Sequence, residues 1–253
     1  MTAPSSRLGR PVWADLATSD AAGARDFYAR VLGWTAEVEP DPQYGGYAMA
    51  RVNGQDVAGI GPAQSGAPTA WSVYFLVADA AAAGEAATQA GGTLIMPART
   101  IGDVGRMAVV QDPAGAFFGI WEPNTMAGFH TGLPGSFGWA ELNARGMDRD
   151  LDFYQALFGW DLSPADLPGG GVYNRLELDG EQWGGAMEMD PAFPPDMPSY
   201  WLVYFSVDSA DATVDLAKSA GGSVIVPAMP MPRGRFAILR DPQGGVFAVI
   251  SGS

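Results

Sequence analysis

Two short segments of the chain place a tryptophan two residues before an acid. The first reads WADLAT, with Trp13 and Asp15, and the second reads GWAELN, with Trp139 and Glu141. A Trp ring offers a large apolar face that attracts flat molecules and cations, and a buried carboxyl group can orient a ligand or move a proton. Asp15 and Glu141 are therefore candidate acids or bases, and the two Trp rings are candidate ligand contacts.

Both segments show the alternation of a β-strand. Successive side chains of a strand point to opposite faces, so Trp13 and Asp15 share one face, while Ala14 and Leu16 share the other. The small apolar face suits packing beneath helices, which leaves the Trp and the acid on the opposite face. Two interpretations stay open: the rings fill an apolar interior with the acids in water, or rings and acids together bind a ligand.

The chain is a tandem duplication. DFYARVLGW at Asp26–Trp34 returns 126 residues later as DFYQALFGW at Asp152–Trp160, and WSVYFLV returns as WLVYFSV 130 residues later. A segment containing Gly and Pro separates the copies. We predict a first domain at 8–122, a linker at 123–135 and a second domain at 136–252.

Each half contains two runs of elements in the same order. In the first half, the apolar periodicity and turn residues predict a strand at 12–18, a helix at 21–32, strands at 47–52 and 56–60, then a strand at 71–77, a helix at 80–90 and strands at 92–98, 105–111 and 115–121. The expected fold is α+β, with four βαβββ units.

The order of these motifs resembles a known superfamily. A strand, an acidic turn, a DFYxxxLGW helix and a later AGG and DPxG before a final strand together resemble the vicinal oxygen chelate superfamily, which includes glyoxalase I, bleomycin-resistance proteins and extradiol dioxygenases. The resemblance covers nearly the whole chain and implies two tandem glyoxalase-like domains with incomplete barrels. In metal-dependent members it implies a divalent ion held by His, Glu or Gln.

The resemblance also implies where metal ligands would lie. Those positions fall on Trp13, Trp139, Ser72, Leu202 (or Trp71 and Trp201 one residue earlier), Gly119 and Ala248. None of these side chains is a ligand for a divalent ion, and the only histidine, His130, lies in the linker. We therefore predict no metal and no cofactor.

An oxygen-rich site is the alternative for a metal. Asp15, Glu141 and Glu122 are the carboxylates that could hold Mg²⁺ or Ca²⁺. Strand alternation from Gly119, however, turns Glu122 to the opposite face of its strand.

Further aromatic residues on predicted strands are candidate ligand contacts. They are Trp71, Trp201, Trp121, Tyr74 and Tyr204. For each, packing in the core or a structural hydrogen bond is the competing explanation.

Composition narrows the class of protein. The chain of 253 residues has a net charge of −14 and a single lysine, Lys218, so binding to nucleic-acid phosphates is not expected. It has no Cys, and no apolar run long enough for a bilayer, so we expect no thiolate chemistry, no membrane partner and a cytoplasmic location. Because one chain already contains both pairs of units, a monomer is favoured over a homodimer.

Three functions are consistent with these features. The first is metal-independent binding of a small aromatic or cationic molecule, such as sequestration of an antibiotic or secondary metabolite. The second is a cofactor-free enzyme acting on an aromatic metabolite, with Asp15 or Glu141 as acid or base. The third is a metal-dependent lyase or dioxygenase with displaced ligands.

Overall fold

The computed structural model describes residues 8–167, 170–232 and 234–252. Within these residues, each half of the chain forms one eight-stranded sheet with two α-helices. The α+β class, the four βαβββ units and their tandem arrangement are as predicted from the sequence.

The first half contains β1 (Pro11–Thr18), α1 (Ala21–Leu32), β2 (Thr35–Val38), β3 (Ala48–Val52), β4 (Gln55–Pro62), β5 (Ala70–Leu76), α2 (Ala80–Gln89), β6 (Thr93–Ile101), β7 (Gly105–Gln111) and β8 (Phe117–Pro123). The second half contains β9 (Phe137–Ala144), α3 (Met147–Phe158), β10 (Asp161–Asp166), β11 (Val172–Leu178), β12 (Glu181–Glu188), β13 (Tyr200–Ser206), α4 (Ala210–Ser219), β14 (Ser223–Met231), β15 (Gly234–Arg240) and β16 (Val246–Ser251). Within the described residues, no helix is long and apolar enough to cross a membrane.

The two sheets have the same strand order. The first is β2-β3-β4-β1-β5-β8-β7-β6, and the second is β10-β11-β12-β9-β13-β16-β15-β14. The two units of each half meet at an antiparallel pair, β1 with β5 and β9 with β13. Because the edge strands do not pair with each other, neither sheet closes on itself.

One strand of the first half was not assigned from the sequence. The four residues of β2 form the edge of the sheet and are mostly exposed, so they lack the apolar alternation that marks the other strands. The end of α1, in contrast, is marked in the sequence by Gly33, which adopts a left-handed conformation (φ 71°) and ends the helix at little steric cost.

The halves pack together through their helix-bearing faces. Helix α1 lies against α4, and α2 lies against α3. Aromatic rings fill the shared core: Phe27 lies 6.1 Å from Phe247, and Trp34 lies 5.1 Å from Phe205, both edge to face.

Hydrogen bonds exchanged between the halves hold this interface. The Tyr28 hydroxyl of α1 donates to Asp241 at 3.0 Å, and the Tyr154 hydroxyl of α3 donates to Asp112 at 3.0 Å. Each acid begins a DPxG turn, so the Tyr of the DFY motif in one half bonds the turn of the other half. The carboxylates also accept backbone N–H groups of their own turns.

The Trp that ends each DFY motif makes a second exchange. Trp34 Nε1 donates to the carbonyl of Gly135 at 2.7 Å, and Trp160 Nε1 donates to the carbonyl of Gly9 at 2.8 Å. Each Gly precedes the first strand of the other half. The repeated phrase DFYxxxxGW therefore encodes the contact between halves.

Candidate functional site

The candidate site of each half lies on the sheet face turned away from the helices, which we call the site face. In the first sheet, strand register places Asp15 opposite Ser72 and Trp13 opposite Tyr74, all on this face. Gly119 of β8 lies beside Tyr74. These residues come from three adjacent strands, so their relative positions are fixed by the sheet.

The first acid, Asp15, and three other side chains form a hydrogen-bonded network. Tyr47 and Tyr74 both donate their hydroxyl groups to Asp15 Oδ2, at 3.3 and 3.2 Å. Trp13 Nε1 donates to the Tyr47 hydroxyl at 2.7 Å. Within the described chain Asp15 Oδ1 accepts no hydrogen bond, and the residue is partly exposed. One oxygen of the carboxyl group is thus held by the protein, and the other is available to a ligand.

The second half repeats the network with a Glu. Tyr204 donates to Glu141 Oε1 at 3.1 Å, Asn143 donates to the same oxygen at 3.4 Å, and Tyr173 also bonds the carboxyl group. Trp139 Nε1 donates to the Tyr173 hydroxyl at 2.9 Å. Glu141 is buried, so its carboxyl group is less accessible than that of Asp15.

Burial shifts the acid–base equilibria of both networks. Burial raises the pKa of Asp15 from 3.8 to about 7, although the hydrogen bonds from Tyr74 and Tyr47 oppose the shift. Burial also raises the pKa of Glu141, against its bonds from Tyr204, Tyr173 and Asn143. The neutral and ionised forms of Asp15 are therefore both accessible near neutral pH.

Glycines make room for the tyrosine rings. A Cβ at Gly119 would overlap the ring of Tyr74, and a Cβ at Gly59 would overlap the Tyr47 hydroxyl. In the second half Gly185 makes the same room for Tyr173, but Ala248 stands where Gly119 stands in the first. A side chain at position 119 would therefore displace the Tyr74 ring from its present position beside Asp15.

The structure divides the aromatic candidates between the two faces. Tyr74, Trp13 and Trp121 lie on the site face of the first sheet, and Trp139 and Tyr204 on that of the second. Trp13 is nearly inaccessible, 3% exposed, and stacks on Phe129 of the linker with ring centres 6.4 Å apart. Trp139 is partly exposed.

Two of the candidates lie away from the acids. Trp71 donates to the Tyr28 hydroxyl at 2.9 Å, and Trp201 donates to the Tyr154 hydroxyl at 2.8 Å. Both rings are buried in the core between the halves, because their strand positions point to the helix-bearing face. They support the interface rather than either network.

Two members of the networks were missed by the sequence reasoning. Tyr47 and Tyr173 supply the acceptor for each Trp and a donor for each acid. They are 126 residues apart, the same offset that relates the two DFY motifs. This shared offset was the feature of the sequence that could have identified the two tyrosines as a matched pair.

The residues around Asp15 do not fit a divalent metal ion. The phenol of Tyr74 donates to the carboxylate, and its ring occupies the space above Gly119. In the described part of the chain no three His, Cys, Asp or Glu side chains come together as a metal site. Glu122 lies on the other face, where it accepts from the Ala80 amide at 2.9 Å and pairs with Arg106 at 3.0 Å.

A surface depression of about 480 Å³ lies away from both networks. It is lined by Arg145, Gly146, Met147, Asp148, Arg149 and Glu188 at the start of α3. The Glu188 carboxylate already accepts the free amides of Gly146 and Met147 there, at 3.0 and 2.7 Å. This carboxylate serves as the cap that α3 otherwise lacks.

Comparison with family models identifies the class of protein. The model of the Glyoxalase/Bleomycin resistance protein/Dioxygenase superfamily matches residues 10–120 and 136–249, so the chain belongs to that superfamily. Both halves match, as the duplicated sequence predicted.

Relatives over the full length are also found. The chain is 41% identical to "Putative glyoxylase CFP32" of Mycobacterium tuberculosis over 251 residues, covering 96% of this chain and 95% of the relative. It is 39% identical to "Anthracycline biosynthesis protein DnrV" of Streptomyces peucetius, covering 96% and 93%.

Solved structures share the fold at low identity. The 2,3-dioxygenase LapB from Pseudomonas sp. KL28 matches with a TM-score of 0.69 and 15% identity, covering 98% of this chain and 94% of that one. The Mn(II)-bound glyoxalase from Novosphingobium aromaticivorans matches with a TM-score of 0.66 and 16% identity, covering 97% and 82%.

Proposed function

We propose that this protein binds a planar aromatic small molecule on the site face of its first half, without a metal ion. The observation that carries the proposal is the Asp15 carboxyl group, with Oδ2 held by two tyrosines and Oδ1 available on a partly exposed face. A single polar anchor on an apolar surface is typical of small-molecule sites.

The surroundings of Asp15 supply the apolar surface. Met107 and Val109 of β7 are partly exposed on the same face, and Phe117 of β8 is 49% exposed at its edge. Exposed large apolar side chains next to a polar anchor favour a flat organic ligand.

A relative named for anthracycline biosynthesis supports this ligand class. Anthracyclines are planar polycyclic aromatic compounds, and the likeness to that relative extends over 96% of this chain. We take from it the class of a planar aromatic metabolite.

Titration calorimetry with a set of planar aromatic compounds, anthraquinones among them, tests the proposal. Ser72→Leu places on the site face the residue that Leu202 provides in the second half, and should abolish binding by filling the space opposite Asp15. The matched control, Val246→Leu, adds bulk to the site face of the second half and should leave binding unchanged. If no planar compound binds, or if Ser72→Leu binds as well as wild type, the proposal fails.

Metal independence has its own measurement. Protein dialysed against EDTA should keep its affinity for such a compound, and elemental analysis before dialysis should find no stoichiometric divalent ion. One tightly held ion per chain, with affinity lost on its removal, contradicts this part of the proposal.

A cofactor-free acid–base enzyme is the second candidate, because burial raises the pKa of Asp15 to about 7. In that case the Asp15 carboxylate takes a proton from the bound molecule, and the resulting carboxylic acid returns it to another position. Asp15→Asn should then abolish turnover while retaining the fold. Turnover that persists in Asp15→Asn rules out this role.

A further inference from the structure

The edge strand β6 carries an exposed cation, Arg99, whose charge acts on Tyr74 of the Asp15 network. Arg99 of β6 faces Met107, and Met107 faces Trp121 of β8, which follows Gly119 by two residues on the same face. The side chain of Arg99 is exposed, and no described residue bonds or pairs with it. It therefore stands free at the rim of the site.

The charge of Arg99 reaches the Asp15 network. Burial and the Asp15 charge raise the pKa of Tyr74 well above its usual value, and Arg99 acts in the opposite direction. Met229 occupies the matching position in the second half, opposite Phe236 as Arg99 is opposite Met107. The cation is thus a feature of the first half alone at this position.

An acid and a cation together select the ligand's charge. A positively charged ligand would be attracted by the Asp15 carboxylate but repelled by Arg99, and burial disfavours the ionised carboxylate. An acidic hydroxyl group fits both: it shares its proton with Asp15 Oδ1, and Arg99 compensates the negative charge of its oxygen. Ser72, opposite Asp15, offers one further hydroxyl to such a group.

We propose that the first half recognises aromatic ligands through an acidic hydroxyl group, phenolic or enolic, held between Asp15 Oδ1 and the Arg99 guanidinium. This rests on the proposed function and narrows it from planar aromatic compounds to hydroxylated, proton-donating ones. The interaction is a hydrogen bond with charge compensation, and no covalent bond is made or broken.

A matched set of probes tests the inference. The probes are 2-naphthol, its 2-methoxy analogue, which cannot donate a proton, and the planar cation ethidium, each titrated by calorimetry at neutral pH. Because the methoxy compound cannot form the charge-assisted hydrogen bond, the hydroxy compound should bind at least about tenfold more tightly. Ethidium should bind most weakly.

Two variants locate the preference. Arg99→Gln and Asp15→Asn should each reduce affinity for the hydroxy compound about tenfold and leave the methoxy compound unchanged. Arg240→Gln is the control, because Arg240 is an exposed arginine on the site face of the second sheet and its replacement changes the net charge equally. It should not alter either affinity.

The possible results separate the inference from the proposed function. Equal binding of the hydroxy and methoxy compounds, preference for ethidium, or equal losses in Arg99→Gln and Arg240→Gln would overturn the inference while leaving aromatic binding intact. If no planar compound binds in the broader set, the proposed function fails, and the inference fails with it.

Discussion

The two halves contain the same Trp–Tyr–acid–Tyr network, but they differ in the acid and in the residue opposite it. In the first, Asp15 is partly exposed and faces Ser72; in the second, Glu141 is buried and faces Leu202, which is 1% exposed. The carboxyl group of the first half is therefore the more accessible of the two. Duplication thus preserved the scaffold of the site while the residues around the acid diverged.

The pH dependence of stability should show the largest difference between the halves. The pKa of Asp15 is about 7 in the folded protein and 3.8 for an unperturbed Asp, so between these values the unfolded chain releases a proton that the folded chain keeps. The free energy of unfolding therefore falls as pH rises through this window, by up to roughly 4 kcal/mol at ~1.4 kcal/mol per pH unit. Asp15→Asn removes this component.

Urea unfolding at about pH 4 and about pH 8 measures the contribution of Asp15 to the pH dependence of stability. Relative to wild type, Asp15→Asn should gain stability at the higher pH, and Glu141→Gln should gain less, because three donors oppose the effect of burial on Glu141. Asp150, whose pKa burial also raises to about 7, titrates in the same window, so single-variant differences are required. Parallel curves for wild type and Asp15→Asn would show that the Asp15 carboxyl group is not perturbed.

Exchanging the residues beside the second tyrosine should have an intermediate effect. Gly119→Ala forces the Tyr74 ring to move and should lower the free energy of unfolding by about 2 kcal/mol, as in overpacked cores. Ala248→Gly removes one methyl group and restricts the backbone less, which costs about 1 kcal/mol. Chemical denaturation gives both values; an equal or smaller loss in Gly119→Ala would mean that Tyr74 does not depend on Gly119.

The smallest expected effect concerns the first tyrosine of each network. Tyr47→Phe leaves the buried Trp13 indole without its acceptor and Asp15 with one donor, so the expected loss is about 1 kcal/mol. Tyr173→Phe should cost less, because Trp139 is partly exposed and its indole can bond to water. Thermal unfolding compares the stability of the two variants. A greater loss of stability in Tyr173→Phe than in Tyr47→Phe would contradict the prediction that the Trp13 indole depends more on its tyrosine than the Trp139 indole does.

Strand periodicity and the repeat predicted most of the fold. They gave the four units and the face on which Trp13 and Asp15 lie, since alternation within a strand is a local property. The edge strand β2 was not predicted, because it is short and mostly exposed and so lacks an apolar alternation. It forms by pairing with β3, and such pairing cannot be inferred from the four residues of β2 alone.

The site was only partly predictable, for a related reason. Trp13, Asp15 and Tyr74 were candidates from their types, but their bonding through Tyr47 depends on how β3 is placed two strands away, beyond β4. From residue type alone, Trp71 and Trp201 were equally good candidates for ligand contacts. The register of their strands turns them to the helix-bearing face, so they lie in the core between the halves.

The reciprocal bonds of Tyr28 with Asp241 and Tyr154 with Asp112 make the molecule, in effect, a dimer joined by a tether. Each half donates one Tyr and receives one, which is the symmetry of an isologous contact between two identical subunits. The connecting segment then acts mainly by raising the effective concentration of one half near the other. A half expressed alone would present an unmatched Tyr, an unmatched Asp and an apolar face, and pairing with a second copy of itself would satisfy all three.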